Sequence, residues 1–150
     1  MPQSLATLLI HIIFSTKNRA NLIAPEIENE LFSYIGGIVK NNQSVLIAAN
    51  GTPNHVHLLI SFSKNIALSS LIGDIKRDSS KWLKTKDIKF NNFQWQDGYG
   101  AFSISQSQTD TVKKYIERQK IKHRIVTFED EFREFLKRYE TNYDERYVWD

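Results

Sequence analysis

The chain has 150 residues, 41% hydrophobic, 25% charged and 12% aromatic, the proportions of a folded domain with one core rather than of a disordered segment. It contains no cysteine and carries a formal net charge of only +3, which excludes a disulfide scaffold, a thiol nucleophile and a thiolate zinc site. Its longest apolar run, Leu5 to Phe14, is interrupted by Thr7 and His11 and falls well short of the ~20 residues of a membrane span. No basic segment precedes that run and no small-residue cleavage site follows it, so the reading is a cytoplasmic chain with no membrane partner.

Leu5 to Ser15 alternates as a strand, with Leu8, Ile10, Ile12 and Phe14 on one face and Leu9, His11 and Ile13 on the other. Both faces are apolar, which predicts a central strand covered on two sides, with His11 as a structural residue. A polar loop, Lys17-Asn18-Arg19, follows, and Pro25 opens a helix whose Ile27, Leu31, Ile35 and Ile38 share a face before Asn41-Asn42 ends it. Val45 to Ala49 and His55 to Phe62 read as a hairpin turned at Asn50-Gly51-Thr52-Pro53. A helix is predicted from about Ile66 to Lys86, then a polar loop from Asn91 to Gly98 and a fourth strand from Tyr99 to Ser105. A basic helix runs from Asp110 to about Ile125 and an acidic one from Phe128 to Tyr139.

The order is β-α-β-β-α-β followed by helices. That predicts an α+β fold, the split βαβ arrangement of ferredoxin-like and RNA-recognition-like domains, as a single domain over residues 1–150.

Charge is unevenly spread. Residues 128–150 hold eight acidic and four basic side chains, leaving sixteen basic and nine acidic before them. Lys76 to Lys89 and Lys113 to Arg124 each carry six of the basic residues. Two such stretches fit either a polyanionic partner, nucleic acid first, or two solvated helix faces.

Two local patterns could carry chemistry. In Asn54-His55-Val56-His57-Leu58, alternate residues of a strand share a face, so His55 and His57 project together. They are either a pair of imidazoles for one divalent cation or two half-buried strand residues. On the basic helix, Tyr115 and Gln119 are four apart and so stack on one face. They are either a nucleophile with a ligand or a boundary tyrosine packed on the sheet. His123, on the same helix, reads as a surface residue.

Taken together, Pro53-Asn54-His55-Val56-His57-Leu58-Leu59, the segment Trp95 to Ser105 and Val112-Lys113-Lys114-Tyr115-Ile116-Glu117-Arg118-Gln119 resemble the single-tyrosine HUH transposases of the insertion-sequence 200/605 type, over nearly the whole chain. The resemblance implies that His55, His57 and Gln119 bind one Mg²⁺ or Mn²⁺. It also implies that Tyr115 attacks a DNA phosphate, leaving a 5′-phosphotyrosine and a free 3′-hydroxyl. The partners it implies are single-stranded DNA hairpins at the ends of an element, and a second copy of the chain in a homodimer. Excision needs two cut ends, whereas each chain offers one candidate nucleophile.

Candidate backbone contacts to DNA are Lys17 and Arg19, then Lys76, Arg77, Lys81 and Lys84, then Lys113 and Arg118. Trp95 and Tyr99 are candidates either for stacking on unpaired bases or for core packing.

The chemistry is coherent in itself. A cation on a non-bridging oxygen stabilises the charge that builds on a phosphodiester under attack. Three neutral ligands would leave it a full double charge, and the basic helix would favour the phenolate of Tyr115. The alternative is a hairpin-binding relative that does not cut, either an RNA-recognition-like module or a domesticated one. A metal-dependent hydrolase of small phosphoesters lacks carboxylate-rich motifs to support it.

Overall fold

The computed structural model describes residues 3–150. Strands β1 (Leu9–Ser15), β2 (Val45–Thr52), β3 (His55–Ser61) and β4 (Gly100–Ile104) form one antiparallel sheet in the order β2-β3-β1-β4. Helix α1 (Glu28–Asn41) links β1 to β2, and α2 (Leu68–Lys84) lies between β3 and β4. Three more helices, α3 (Thr109–Glu117), α4 (Gln119–Lys122) and α5 (Phe128–Arg138), follow the last strand. The α+β class and the central position of β1 are as the alternation of the first strand requires.

The sheet is covered on both faces. Ile12, Phe14, Val56, Leu58 and Ile60 meet α1 and α2 through Leu31, Ile35, Leu71 and Ile75. On the opposite face Ile13 and Phe102 meet Phe128, Phe132, Phe135 and Leu136 of α5. Each of these four buried side chains contributes about 1.5–3 kcal/mol by leaving water, which is what holds an acidic helix against the sheet. Thr127 caps that helix by accepting the Asp130 N–H at 3.2 Å. Gly100 lets it come close: a Cβ there would lie 2.8 Å from the Phe132 ring.

Two strand boundaries differ from the sequence reading. β1 starts at Leu9 rather than Leu5, since Leu5 and Leu8 find no apolar cover and stay exposed. The hairpin turn is the pair Pro53-Asn54, so Asn50, Gly51 and Thr52 belong to β2. Gly51 is needed there for close approach, because a Cβ would collide with the His55 carbonyl oxygen.

The basic helix is not continuous. It breaks at Arg118, where the Asn50 side chain donates to the carbonyls of Ile116 and Glu117 at 3.0 and 3.1 Å and so ends α3. Among the described residues no helix is long and apolar enough to cross a membrane.

Candidate active site

The period of two on β3 turns His55 and His57 to the face covered by α3, α4 and α5, and β1 adds His11 to that face. All three histidines are essentially inaccessible to solvent. The break at Arg118 restarts the chain so that Gln119 is also fully buried, with its Oε1 3.2 Å from His55 Nε2. Tyr115 comes from the last turns of α3, its ring centroid 5.9 Å from that of His57. The four residues singled out in the sequence, His55, His57, Tyr115 and Gln119, therefore meet within one chain.

At their centre is a residue the sequence reading missed. Glu131 of α5 is buried and accepts from His57 Nε2–H and His123 Nε2–H, each at 2.9 Å, through Oε1. Its Oε2 accepts from Gln119 Nε2 at 2.9 Å and from the Tyr115 hydroxyl. His123, read as a surface residue, instead packs edge-on to His55 with ring centroids 4.4 Å apart and joins the cluster.

Both residues left a signal in the sequence. Glu131 sits on the buried stripe Phe128-Phe132-Phe135, where an unpaired carboxylate is not tolerated. His123 follows Gln119 by four positions on the same run.

The hydrogen bonds fix most of the protonation pattern. Asn54 Oδ1 accepts the Thr52 hydroxyl at 2.9 Å and lies 2.8 Å from His55 Nδ1, so that nitrogen carries the proton. His55 Nε2 is then a bare lone pair. Gln119 turns its amide nitrogen to Glu131, so its Oε1 faces that lone pair, with Glu131 Oε1 also 3.5 Å from His55 Nε2. The lone pair of His55 Nε2 facing two oxygens suits a cation.

Ligand atoms from His55, His57, His123 and Glu131 all lie within 4.8 Å of one another. This buried cluster could hold a metal, and imidazole, amide and carboxylate donors fit a divalent ion of hard to borderline character.

Glu131 changes the electrostatics expected of the site. With the histidines neutral the cluster carries one negative charge, not none. Burial alone would raise the Glu131 carboxyl, but hydrogen bonds from His123, His57 and Tyr115 hold it well below the usual carboxylate range. Burial and the adjacent carboxylate push the Tyr115 phenol well above its ordinary value. The basic helix therefore does not favour the phenolate in this arrangement, as had been expected from the sequence. The hydroxyl is held protonated against Glu131.

Burial, with His57 adding to it, lowers both His11 and His55 to about 3. The sign for stability follows. Unfolded imidazoles take up protons near pH 6.5, whereas these two in the folded chain do so only near 3. Between those values the unfolded state binds more protons, so stability rises with pH. In metal-free buffer, urea denaturation should show stability falling as pH drops below about 6.5, these two imidazoles adding at most about 3 kcal/mol per pH unit. A profile flat from pH 7 to 5 would contradict this account of the cluster.

The basic residues read as DNA contacts lie in three places. Lys113 and Arg118 are exposed at α3, and Lys114, Arg118 and Lys122 line a surface that the Tyr115 ring shares. Those on α2 lie on the helix layer across the sheet from the histidines. Lys81 and Lys84 are exposed there, while Arg77 is paired with Asp74 and Asp78.

Lys76 turns inward and donates to the carbonyls of Gln96, Asp97 and Gly98 at 2.9, 3.1 and 2.6 Å. Lys17 is half-buried in the first loop, and the Arg19 guanidinium lies 5.4 Å from the centre of the Trp149 ring. Trp95 packs in the core, edge-on to Phe14 and Phe93, and donates to Ser79 Oγ at 3.0 Å. Tyr99 is 39% exposed.

The sequence and the fold are similar to those of known proteins. A family model described as "Transposase IS200 like" matches residues 4–119. The ISDra2 transposase TnpA of Deinococcus radiodurans is 25% identical over 114 residues, which cover 73% of this chain and 81% of that protein. Among solved structures, a candidate transposase from Deinococcus radiodurans R1 superposes with a TM-score of 0.61 at 22% identity, over 79% of this chain and 98% of that one. A REP-associated tyrosine transposase bound to a REP hairpin superposes with a TM-score of 0.60 at 17% identity, over 84% of this chain and 76% of that one. The family match ends at Gln119, so His123 and Glu131 reach the cluster from beyond the matched segment.

Proposed function

This chain belongs to the IS200-like transposase family, and on that premise we propose that it cuts and rejoins single-stranded DNA by transesterification, with Tyr115 as the nucleophile. The observation that carries this reading is the gathering of the Tyr115 hydroxyl, His55 and Gln119 around the buried Glu131 carboxylate. His55, His57 and Gln119, joined by Glu131, would hold a divalent cation, Mg²⁺ or Mn²⁺, which when bound supplies charge stabilisation to the phosphate under attack.

Glu131 aims the phenol until DNA arrives. The hydroxyl must then exchange the carboxylate for phosphorus, losing its proton as the new P–O bond forms and the P–O3′ bond breaks. The departing 3′ oxygen takes up a proton and becomes a free hydroxyl. The intermediate keeps the bond energy in a phosphotyrosine, so rejoining needs no nucleotide cofactor. Lys114, Arg118 and Lys122 surround the Tyr115 ring and favour an incoming phosphate. On the ring's other side a cavity of about 390 Å³ gives a flanking nucleotide room.

The hairpin carried by the REP-associated relative supports folded single-stranded DNA as the partner. Excision at two ends supports a homodimer, with one nucleophile from each copy, on the hairpins that end an insertion sequence. Residues 1–150 act in this reading as one transposase domain. Lys113 and Arg118 supply backbone contacts near the cut, and Lys17, Arg19, Arg77, Lys81 and Lys84 supply them further away. Lys76 contributes less, because its ammonium is occupied by carbonyls.

The test is incubation with single-stranded oligonucleotides from the DNA flanking the gene, with Mg²⁺ or Mn²⁺. A slower-migrating, nuclease-sensitive protein band that vanishes in chelator is expected. Tight hairpin binding with no adduct under any metal condition would instead make this a non-cutting binder.

A further inference from the structure

The two strand histidines are not equally prepared for a cation. Asn54 holds the His55 proton on Nδ1 and leaves Nε2 bare. His57 is set the other way: its Nε2 carries the proton that Glu131 Oε1 accepts at 2.9 Å, so its Nδ1 is an acceptor. That Nδ1 lies 2.8 Å from Nε2 of His11, a residue 1% exposed and read from the sequence as structural. A cation can bind His57 Nε2 only if the proton there leaves and Nδ1 becomes the protonated nitrogen. The partner of Nδ1 must then change from donor to acceptor. Among ordinary side chains that reach so far, imidazole does this by moving its own proton from one ring nitrogen to the other.

We propose that His11 is a positioning residue whose tautomer exchange lets His57 become a cation ligand, an inference that rests on the cation site of the reading above. In the arrangement described, His11 Nε2–H donates to His57 Nδ1. With a cation on His57 Nε2, His57 Nδ1–H would donate to His11 Nε2, and the His11 proton would be on Nδ1.

The protons balance. One leaves His57 Nε2 for solvent, one passes from His11 Nε2 to His57 Nδ1, and one enters at His11 Nδ1. The ring pair stays neutral and releases none overall. The entry side exists, because His11 lines the cavity of about 390 Å³ that opens beside Tyr115. The His11 ring is held edge-on by Phe135, with centroids 5.2 Å apart, which keeps Nε2 aimed at His57 while the proton moves.

The experiment reads cation binding without DNA, so it does not depend on cleavage. Mn²⁺ affinity is measured for the wild type, His11→Leu and His11→Gln, with thermal denaturation as the check on folding. His11→Leu should bind Mn²⁺ about 10–100-fold more weakly. His11→Gln should recover most of the loss, since an amide can turn either its oxygen or its nitrogen to His57.

In the wild type, ¹⁵N spectra of the histidine rings should show His57 protonated on Nε2 without Mg²⁺ and on Nδ1 with it. A folded His11→Leu protein that binds Mn²⁺ within twofold of wild type overturns the proposal. So does a His57 tautomer that Mg²⁺ leaves unchanged, which decides the matter if His11→Leu does not fold. Wild-type protein that takes up no Mn²⁺ would bring down the cation site itself, a different result from wild-type and variant proteins binding alike.

Discussion

Tyr115→Phe should abolish strand cleavage, lowering the rate of adduct formation by about 10³-fold or more, while hairpin affinity stays within about twofold. The substitution removes one oxygen from a half-buried ring that keeps its edge contacts with His57, His11 and Phe135. The hydroxyl's one hydrogen bond within the described residues goes to Glu131, which keeps three other donors, so the fold should lose no more than about 1–2 kcal/mol. In the proposed reading, hairpin binding runs through Lys113, Arg118 and the other cations and does not involve the phenol. Loss of cleavage with binding intact therefore isolates the nucleophile. A denaturing gel for the adduct and a gel shift for the hairpin, run on the same preparations, measure the two. Undiminished cleavage by the variant would remove Tyr115 from the mechanism.

What the sequence could show, and where it stopped, follows from the range of each pattern. Strand alternation is local, so the common face of His55 and His57 and the burial of β1 on both sides can be read without coordinates. The spacing of Tyr115 and Gln119 placed them at one site, although they reach it across a break and not along a regular helix. That break is caused by Asn50, 66 residues from Ile116 in the chain, and no window around Arg118 contains its cause.

Glu131 is the deeper miss. The sequence reading marks α5 only as an acidic helix, while the aromatic stripe of the same helix puts this one carboxylate inside. Which part of the sheet that stripe covers is decided by Ile13, Phe102 and the bare surface of Gly100, all distant in sequence. His11 could be read as buried, but its bond to His57 depends on β1 lying beside β3, a pairing between strands that are not consecutive.

Glu131→Gln should raise the Mn²⁺ concentration needed for half-maximal cleavage about 10²-fold, at or beyond the upper end of what residues supporting a metal ligand are worth. Charge is the reason. With neutral imidazoles and an ionised Glu131 the cluster is singly negative, so a phosphate is repelled until a divalent cation reverses the sign. Bound beside Glu131, that cation would leave one net positive charge for the phosphate, where three neutral ligands would leave two. In the proposed reading the carboxylate would exchange some pull on DNA for a firmer hold on the ion, as hard cations prefer charged oxygen.

An amide of the same shape loses that hold. It also sets an N–H group against the donors of His57, His123, Gln119 and Tyr115, at a cost of roughly 1–3 kcal/mol of stability. Mn²⁺ titration of the DNA-free protein should show the same loss of affinity as the cleavage assay, because the carboxylate acts on the ion and not on the strand. If the half-maximal Mn²⁺ concentration is unchanged in Glu131→Gln, the carboxylate is no ligand. Its four hydrogen bonds would then serve only to close the site in the absence of DNA.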